Sequence, residues 1–276
     1  SSDLPVTPRS LYEIFYAPDH VRAWTRKTYA AAGGYDRNQD VADDHDLLCR
    51  TYLTGASMVC VPDCLYARRK HGRNTSTRQN ALIQTEQTAV GDKYLGRLVE
   101  EWCRRGGLRM IDLGGAHDSP PGYESLDRHG DVAIKCDVAD MTDVLHLDSV
   151  GAFRAFDFLE HIPPDRLPKL MNDMYHLLAD GGWLLTHTPA VGGPDGSVGW
   201  GAFQDPTHRS FWTPNSWRYY SDRDYRKYVP DLFCRFQLVR LRHDWPSAAH
   251  KAERLPYLTA ALTAMKGTRP PGVVRV

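Results

Sequence analysis

The sequence predicts an α/β protein in which a doubly wound, mostly parallel sheet follows a smaller and irregular front segment. Beyond residue 106, short apolar strands alternate with amphipathic segments of helix length, which is typical of a parallel sheet covered by helices. Residues 1–80 instead carry short apolar runs and turn signals, and a helical stripe over 81–105 joins the two parts. We therefore predict three regions: 1–80, 81–105 and 106–276.

Composition excludes several classes of protein. The 276 residues, 42% hydrophobic and 25% charged, indicate a globular protein of about two domains. Because 34 Lys+Arg balance 34 Asp+Glu, no global basic field favours nucleic acid or an anionic membrane. No apolar run approaches the ~20 residues of a membrane helix. We expect a soluble, cytoplasmic protein with reduced cysteines, since none of the six forms a C-x-x-C pair.

The elements follow from periodicity. The helix over 81–104 is predicted to be interrupted near Gly91 and to stop at Gly106. Strands are predicted at 108–113, 132–136, 152–158 and 183–188, with a helix over 165–178 that residues 180–182 terminate. Two final strands are predicted at 235–243 and 257–266, although the second also fits a short helix.

Three polar loops follow successive apolar stretches of the second region. Residues 112–116 turn sharply around a glycine pair, Asp127 ends the next stretch, and Asp137 follows the third. Because the carboxyl ends of parallel strands meet at one edge of a sheet, we expect these loops to form one crevice. A carboxylate at Asp127 suits the two hydroxyls of a ribose, and one at Asp137 suits an adenine amino group. An α/β domain with ordinary tight turns is the alternative.

The run from Met110 to about Tyr220 resembles the class I S-adenosylmethionine-dependent methyltransferases. The matching motifs, in order, are IDLGGA at 111–116, GYESLD at 122–127, CDV at 136–138, FDFLEHIPP at 156–164, LLADGGWLLTHTP at 177–189 and AFQDPTHRSFWTP at 202–214. The resemblance implies a Rossmann-like fold with S-adenosylmethionine as cofactor. It implies that Asp112, Gly114 and Gly115 hold the methionine end of the cofactor. It also implies that Asp127 holds the ribose, and that Asp137 and Val138 hold the adenine.

Two histidines are candidates for the chemistry. Methyl transfer to a hydroxyl needs a base, and histidine titrates near neutral pH. His161 follows Glu160 after the predicted strand at 152–158, where a capping, structural pair is the alternative. His208 lies in a polar loop with several aromatic residues, which suits a lid over a sugar or nucleotide; a structural histidine is again the alternative.

The front segment contains an unusual cluster of acids. The cluster consists of Asp40, Asp43, Asp44 and Asp46. Carboxylates this close repel one another, so the cluster indicates either a positively charged partner or a role in proton transfer. The alternative is a solvated acidic turn that caps a helix. Further along, Arg68, Arg69, Lys70 and Arg73 surround His71 in a basic hook that suits a diphosphate, although charge runs are also common on solvated faces.

Residues 33–55 and 61–76 together resemble the carboxyl half of the inverting, family 2 type glycosyltransferases of GT-A fold. The resemblance implies that Asp44, the second acid of its pair with Asp43, deprotonates the acceptor hydroxyl. It also implies that His71 completes the coordination of a divalent metal, Mn²⁺ or Mg²⁺, on the nucleotide sugar. Residues 1–32 contain neither a nucleotide-binding half nor an Asp-x-Asp motif, so we expect this segment alone not to transfer a sugar.

These predictions combine into a bifunctional, glycan-modifying enzyme, represented here by a fragment because the sequence opens without an initiator methionine. A partial glycosyltransferase would be joined to an S-adenosylmethionine-dependent methyltransferase that acts on a sugar or glycoconjugate. Its partners would be a nucleotide sugar and a glycan acceptor. One alternative is a methyltransferase with a non-catalytic, recruiting front segment. Another is a binding module with an inactive cofactor site, because Ala116 stands where many class I members have glycine.

Overall fold

A computed structural model describes residues 6–13, 22–59, 79–116 and 119–267. The chain divides into two compact units, residues 1–105 and residues 106–276. Within the described ranges, no helix is both long enough and apolar enough to cross a membrane. The basic hook over 68–76, with His71, lies outside the described residues.

The first unit is helical. Its described helices are α1 (Pro8–Glu13), α2 (Arg26–Ala31), α3 (Asp43–Leu53) and α4 (Asn80–Gly106). Apolar side chains of α1 and α3, such as Leu11, Leu48 and Tyr52, pack in one core with Tyr94 and Leu98 of α4. The predicted joining helix is therefore present, and its second half belongs to the core of this unit.

The predicted interruption at Gly91 is wrong, because α4 continues through that residue. A Cβ at Gly91 would lie 2.8 Å from Cδ2 of the Tyr12 ring. The Tyr12 hydroxyl also donates to Oδ1 of Asp92, at 3.2 Å. Glycine at this position therefore allows close approach of an aromatic ring to the helix and does not break it.

The second unit is built on a seven-stranded sheet of order β3-β2-β1-β4-β5-β7-β6. Its strands are β1 (Arg109–Leu113), β2 (Glu124–Asp127), β3 (Ile134–Lys135), β4 (Val150–Phe156), β5 (Leu178–Pro189), β6 (Phe236–Asp244) and β7 (Tyr257–Ala264). Strands β1 to β5 pair in parallel, whereas β7 runs antiparallel to both β5 and β6. The predicted α/β sheet with parallel strands is confirmed for β1 to β5, whereas the antiparallel pairing of β7 was not predicted, and the last segment is a strand.

The core of the second unit lies between its sheet and helices. The helix α6 (Leu167–Leu177) buries the predicted stripe, with Leu170, Met171, Met174 and Leu177 at most 4% exposed. The other helices are short: α5 (Met141–Val144), α7 (Gly201–Gln204), α8 (Arg218–Ser221), α9 (Arg223–Arg226) and α10 (Ala248–Ala252). Turns of 3-10 helix cover Val138–Asp140, Leu159–His161 and Pro214–Trp217. Four cysteines are free thiols in the described chain: Cys49, Cys103, Cys136 and Cys234.

The glycines after α6 do not terminate it as predicted. The helix ends at Leu177, and Leu178 is already extended and paired with Val150 of β4. The next pairing joins Ala152 to Trp183, so the residues between Leu178 and Trp183 bulge out of β5. Gly181 has a φ of 78°, a left-handed conformation that suits glycine in such a bulge.

Candidate active site

A cavity of about 590 Å³ opens at the edge of the second unit's sheet where the first four strands end. Its lining includes Gly114 after β1, Asp127 at the end of β2, Asp137 and Val138 after β3, and Phe158 after β4. Ligands of open α/β sheets bind outside the carboxyl ends of the strands, beside the point where the strand order reverses. This cavity thus brings together four of the six residues predicted to hold the cofactor.

Gly114 sits where no other residue fits well. Its φ of 77° lies in the left-handed region, and a Cβ there would lie 2.7 Å from Cδ2 of Phe158. A side chain at this position would therefore be strained in the backbone and would displace an aromatic wall of the cavity. The glycine lets the chain turn out of β1 and present its backbone to the cavity.

Asp112 and Gly115 are not among the residues that line the cavity. Asp112 is 1% exposed, and its Oδ1 accepts a hydrogen bond from Nη1 of Arg154 at 2.8 Å. Its Oδ2 has no hydrogen-bond partner among the described residues, and a Cβ at Gly115 would lie 2.5 Å from it. Both residues support the loop after β1, and their contact with a cofactor stays a prediction.

Two carboxylates in the cavity are held by their own loops. Oδ1 of Asp127 accepts from the backbone N–H of His129 at 2.7 Å, and Oδ1 of Asp137 accepts from that of Ala139 at 3.0 Å. Nη1 of Arg128 lies 3.6 Å from Oδ2 of Asp137. These local hydrogen bonds orient both carboxylates and leave each with an oxygen that can accept a ligand hydrogen bond.

Several lining residues were not predicted from the sequence. Phe158 follows the carboxyl end of β4, just as the predicted loops follow the carboxyl ends of their strands. Its position after a predicted strand could therefore have identified it as a lining residue. Lys169 of α6 and Arg209 of a distant loop line the same cavity. Nζ of Lys169 donates to the backbone oxygen of Ala139 at 3.0 Å, which ties α6 to the loop after β3. No spacing in the sequence indicates these tertiary contacts.

The two predicted histidines meet at one side of the cavity. His161 lines it, and the ring centroids of His161 and His208 are 5.1 Å apart in an edge-to-face arrangement. Together with a carboxylate oxygen of Glu160, one nitrogen of each ring belongs to a group of atoms that all lie within 4.8 Å of one another. Glu160 lies in a 3-10 turn and is 2% exposed, so the catalytic and the structural interpretation of this pair both stay predictions.

Hydrogen bonds define the tautomers of both rings. Nδ1 of His208 lies 2.9 Å from the backbone oxygen of Ala202, which can only accept, so this nitrogen carries the hydrogen. The Thr207 hydroxyl donates to Oδ1 of Asp205 at 2.7 Å and therefore accepts from Nδ1 of His161 at 3.0 Å. In the neutral form, each ring consequently keeps a lone pair on Nε2.

Glu160 is a buried carboxylate with an incomplete set of partners. Its Oε2 accepts from the Thr188 hydroxyl at 2.9 Å, whereas Oε1 has no hydrogen-bond partner within the described chain. Burial raises the pKa of Glu160 to about 7. Its backbone oxygen accepts from the N–H groups of Arg209 and Ser210, at 2.6 and 2.9 Å. The loop that carries His208 is thereby fastened to the turn that carries Glu160.

Two acids of the predicted cluster, Asp44 and Asp46, have positive partners. Asp43 and Asp44 lie in the first turn of α3, and Asp44, whose side chain is 43% exposed, pairs with Arg22. Asp46 is 1% exposed and accepts from Arg50 at 2.7 Å, from Tyr94 at 2.7 Å and from Lys93 at 3.2 Å. Burial alone raises the pKa of Asp46, but these three hydrogen bonds lower it more, so the pKa lies below its ordinary value.

Comparisons with known proteins find structural neighbours only. No protein-family model matches the chain, and no curated protein matches it in sequence. Among solved structures, a SAM-dependent methyltransferase from Archaeoglobus fulgidus is 15% identical, with a TM-score of 0.40 over 60% of this chain and 93% of that chain. The 1,6-didemethyltoxoflavin-N1-methyltransferase of Burkholderia thailandensis is 12% identical, with a TM-score of 0.38 over 75% and 98% of the two chains.

Another similar structure, the [4+2]-cyclase SpnF, is 13% identical, with a TM-score of 0.39 over 63% of this chain and 82% of that chain. With identities and TM-scores this low, the function of this chain has to be argued from its own residues. None of the solved structures named here is a glycosyltransferase, so the glycosyltransferase interpretation of residues 1–80 stays a prediction.

Proposed function

We propose that residues 106–276 form an S-adenosylmethionine-dependent methyltransferase that acts on a hydroxyl group of a sugar or glycoconjugate. One observation carries this proposal. A single cavity collects Gly114, Asp127, Asp137 and Val138, which come from the ends of three separate strands and from three of the six motifs that carry the resemblance.

The residues present fit the cofactor. Asp127 retains a carboxylate oxygen for the ribose hydroxyls, since its other oxygen accepts from its own loop. Val138 and Phe158 line the cavity with apolar surface that suits a flat purine, and Asp137 lies beside them. The glycine at 114 leaves the backbone open towards the cavity. Bound S-adenosylmethionine supplies an electrophilic methyl group on its sulfonium.

Residues at the other side of the cavity can act on an acceptor. His161 lines the cavity and the His208 ring packs against it, each with a lone pair on Nε2, and a hydroxyl must lose its proton during methylation. The loop that carries His208 also exposes three aromatic rings: Trp200, Phe203 and Phe211. Phe203 and Phe211 stack with their centroids 4.9 Å apart. Exposed aromatic surface of this kind suits the apolar face of a sugar ring, which supports a glycan acceptor.

Isothermal titration with S-adenosylmethionine and S-adenosylhomocysteine tests the proposal directly. We expect wild-type protein to bind both and Asp127→Ala to lose measurable binding. Two charge-assisted hydrogen bonds are removed, at about 1.5–3 kcal/mol each. Asp131→Ala is the matched control, because Asp131 is an exposed aspartate close to Asp127 in the chain that does not line the cavity. Equal affinity of Asp127→Ala and wild type would show that the ribose is held elsewhere.

The Ala116 position separates an active site from an inactive one. Ala116 does not line the cavity, and a Cβ built at Gly130 would lie 3.2 Å from the Ala116 Cβ. We therefore expect Ala116→Gly to change the affinity for S-adenosylmethionine by less than about threefold, well under 1 kcal/mol. A large gain of affinity in this variant would instead support the binding module with an inactive cofactor site.

For residues 1–80, the recruiting segment and the partial glycosyltransferase both stay open. Asp44, the predicted base, pairs with Arg22 in the first unit. The experiment is turnover of nucleotide sugars by the full chain with Mn²⁺ or Mg²⁺ present, in the wild type and in Asp44→Asn. Metal-dependent turnover that falls at least about a hundredfold in Asp44→Asn would support the glycosyltransferase. Because this segment alone is not expected to transfer a sugar, absence of turnover would be compatible with both roles.

A further inference from the structure

We propose that Glu160, His161 and His208 bind a divalent first-row transition-metal ion beside the cofactor cavity. Binding of the ion does not depend on the proposed methyltransferase function. Its task, to hold and ionise the acceptor hydroxyl, rests on that function. Three properties of these residues carry the proposal: the set of donor atoms, the hydrogen bonds behind the two rings, and the unpartnered oxygen of Glu160.

The donor set selects the kind of ion. Two imidazole nitrogens and one carboxylate oxygen suit Zn²⁺, Mn²⁺, Fe²⁺ or Co²⁺, whereas Mg²⁺ and Ca²⁺ prefer ligand sets made of oxygen. Three protein ligands also leave a coordination position open, which is the arrangement of catalytic rather than structural sites. A hydroxyl oxygen of the acceptor can occupy that open position.

The outer hydrogen bonds hold both rings in the state that binds metal. Metal-ligating histidines usually donate their second N–H to a backbone carbonyl or another acceptor, which fixes the tautomer and the ring orientation. His208 does so to the backbone oxygen of Ala202, and His161 does so to Thr207, whose hydroxyl is itself held by Asp205. Each ring is therefore set to offer Nε2 without a change of tautomer.

Glu160 supplies the independent observation. It is 2% exposed, and its Oε1 has no partner within the described residues although Oε2 accepts from Thr188. A buried carboxylate oxygen without a partner is costly, because the lost hydration is not replaced. A cation held between Glu160 and the two rings would supply the missing partner for Oε1 and replace the lost hydration.

The spacing of the ligand atoms requires a small adjustment. Ligands about 2.0–2.1 Å from a tetrahedral ion lie about 3.4 Å from one another, whereas these atoms lie within 4.8 Å. Closing that difference takes about 1 Å of side-chain movement. His161 is only partly buried, and His208 belongs to a loop, so both can adjust.

The reaction balances without an oxidant or reductant. With both Nε2 lone pairs on the ion, neither histidine would act as the base, and the coordinated hydroxyl would lose its proton to solvent, because a bound divalent ion lowers the pKa of an oxygen ligand. The acceptor oxygen then forms the new C–O bond with the methyl group, the C–S bond breaks, and its electron pair stays on sulfur. The products are a methyl ether, S-adenosylhomocysteine and one proton.

Two measurements test the site. One is calorimetric titration of the metal-free chain with Zn²⁺, and the other is the visible absorption of the Co²⁺ form. We expect one ion per chain in the wild type, and affinities at least about tenfold weaker in Glu160→Gln, His161→Ala and His208→Ala. Thr207→Val removes no ligand and lies in an exposed loop, yet we expect it to weaken binding about tenfold. His146→Ala, at an exposed histidine outside the group, should bind as the wild type does.

The outcomes separate this inference from the proposed function. Wild-type protein that binds S-adenosylmethionine but no stoichiometric Zn²⁺ overturns the metal site and leaves the methyltransferase in place. Protein that binds Zn²⁺ but not S-adenosylmethionine overturns the proposed methyltransferase and leaves the metal site in place. Wild-type Zn²⁺ affinity in all three ligand variants, with circular dichroism showing that they are folded, also overturns the metal site. Unchanged Zn²⁺ affinity in Thr207→Val overturns the role of the outer hydrogen bonds.

Discussion

Each unit of the molecule contains a carboxylate that is almost fully buried, and the two are treated in opposite ways. Asp46 in the first unit is 1% exposed and receives hydrogen bonds from Arg50, Lys93 and Tyr94, so its pKa is lowered. Glu160 in the second unit is 2% exposed and receives one side-chain hydrogen bond, from Thr188, so burial raises its pKa to about 7.

The difference separates an acid whose partners are complete from the acid that we propose as a metal ligand. The partners of Asp46 satisfy both of its oxygens, so that any other ligand would have to displace a cation or a tyrosine. Glu160 leaves one oxygen without a described partner, beside two histidines with available lone pairs. Burial alone does not identify a site; what matters is whether the buried group already has its partners.

The largest expected effect on stability comes from Asp46→Asn. The substitution removes the charge that pairs with Arg50 and Lys93 while keeping the size of the side chain. We expect the free energy of unfolding of the first unit to fall by about 2–3 kcal/mol. This is less than the 3–5 kcal/mol of a fully buried pair, because both cations are partly exposed.

Chemical denaturation, with hydrogen exchange localising the change to α3 and α4, measures this loss. The matched control is Asp44→Asn, since Asp44 is a partly exposed acid in one ion pair, for which we expect less than about 1 kcal/mol. Equal losses in the two variants would remove the distinction drawn for Asp46.

A smaller effect is the response of the first unit to acid. Because the pKa of Asp46 is below its ordinary value of 3.8 when folded, its contribution to stability is complete above that value. The contribution disappears as the pH falls through the folded pKa. We expect Asp46→Asn to reduce the pH dependence of hydrogen exchange in α3 below about pH 4. A slope identical to that of the wild type would assign the acid response to other groups.

Tyr94→Phe tests one of the three partners alone. It removes the hydroxyl that donates to Oδ1 of Asp46 at 2.7 Å and leaves the ring in the core. We expect a loss of about 1–2 kcal/mol, because the two cations still hold the carboxylate. Tyr35→Phe, at an exposed tyrosine, is the control, with an expected change within about 0.5 kcal/mol in thermal or denaturant unfolding.

The smallest expected effect on stability is that of Glu160→Gln, in contrast to Asp46→Asn. The glutamine keeps an oxygen that can accept from Thr188, and it removes a charge that no cation offsets. We expect the free energy of unfolding to stay within about 0.5 kcal/mol of the wild type, or to rise. A loss above about 2 kcal/mol would show that Glu160 is as well partnered as Asp46, and would contradict the comparison.

Much of the second unit could be predicted because its signals are local. The stripe of α6 and the alternation of strands and helices follow from apolar periodicity, and parallel pairing then requires the loops at 114, 127 and 137 to meet. The errors at Gly91 and Gly181 share one cause. A glycine in the sequence does not reveal whether it breaks an element, admits a ring such as that of Tyr12, or allows a bulge.

The candidate site was only partly predictable. His161 and His208 could be proposed from residue type, but their meeting depends on a loop that is fastened to the turn at Glu160 by backbone hydrogen bonds, which leave no pattern in the sequence. The roles of Asp44 and Asp46 were similarly hidden, since their cationic partners come from positions 22 and 93. Long-range partners decide these roles, and spacing carries no information about them.

His161 belongs both to the wall of the cofactor cavity and to the group around Glu160. An occupant of either place therefore constrains the same imidazole ring. Such sharing creates a coupling free energy between the two ligands, and that coupling is reciprocal. If both proposed ligands bind, the factor by which S-adenosylmethionine changes the dissociation constant of the ion equals the factor by which the ion changes that of S-adenosylmethionine, so each ligand reports thermodynamically on the other.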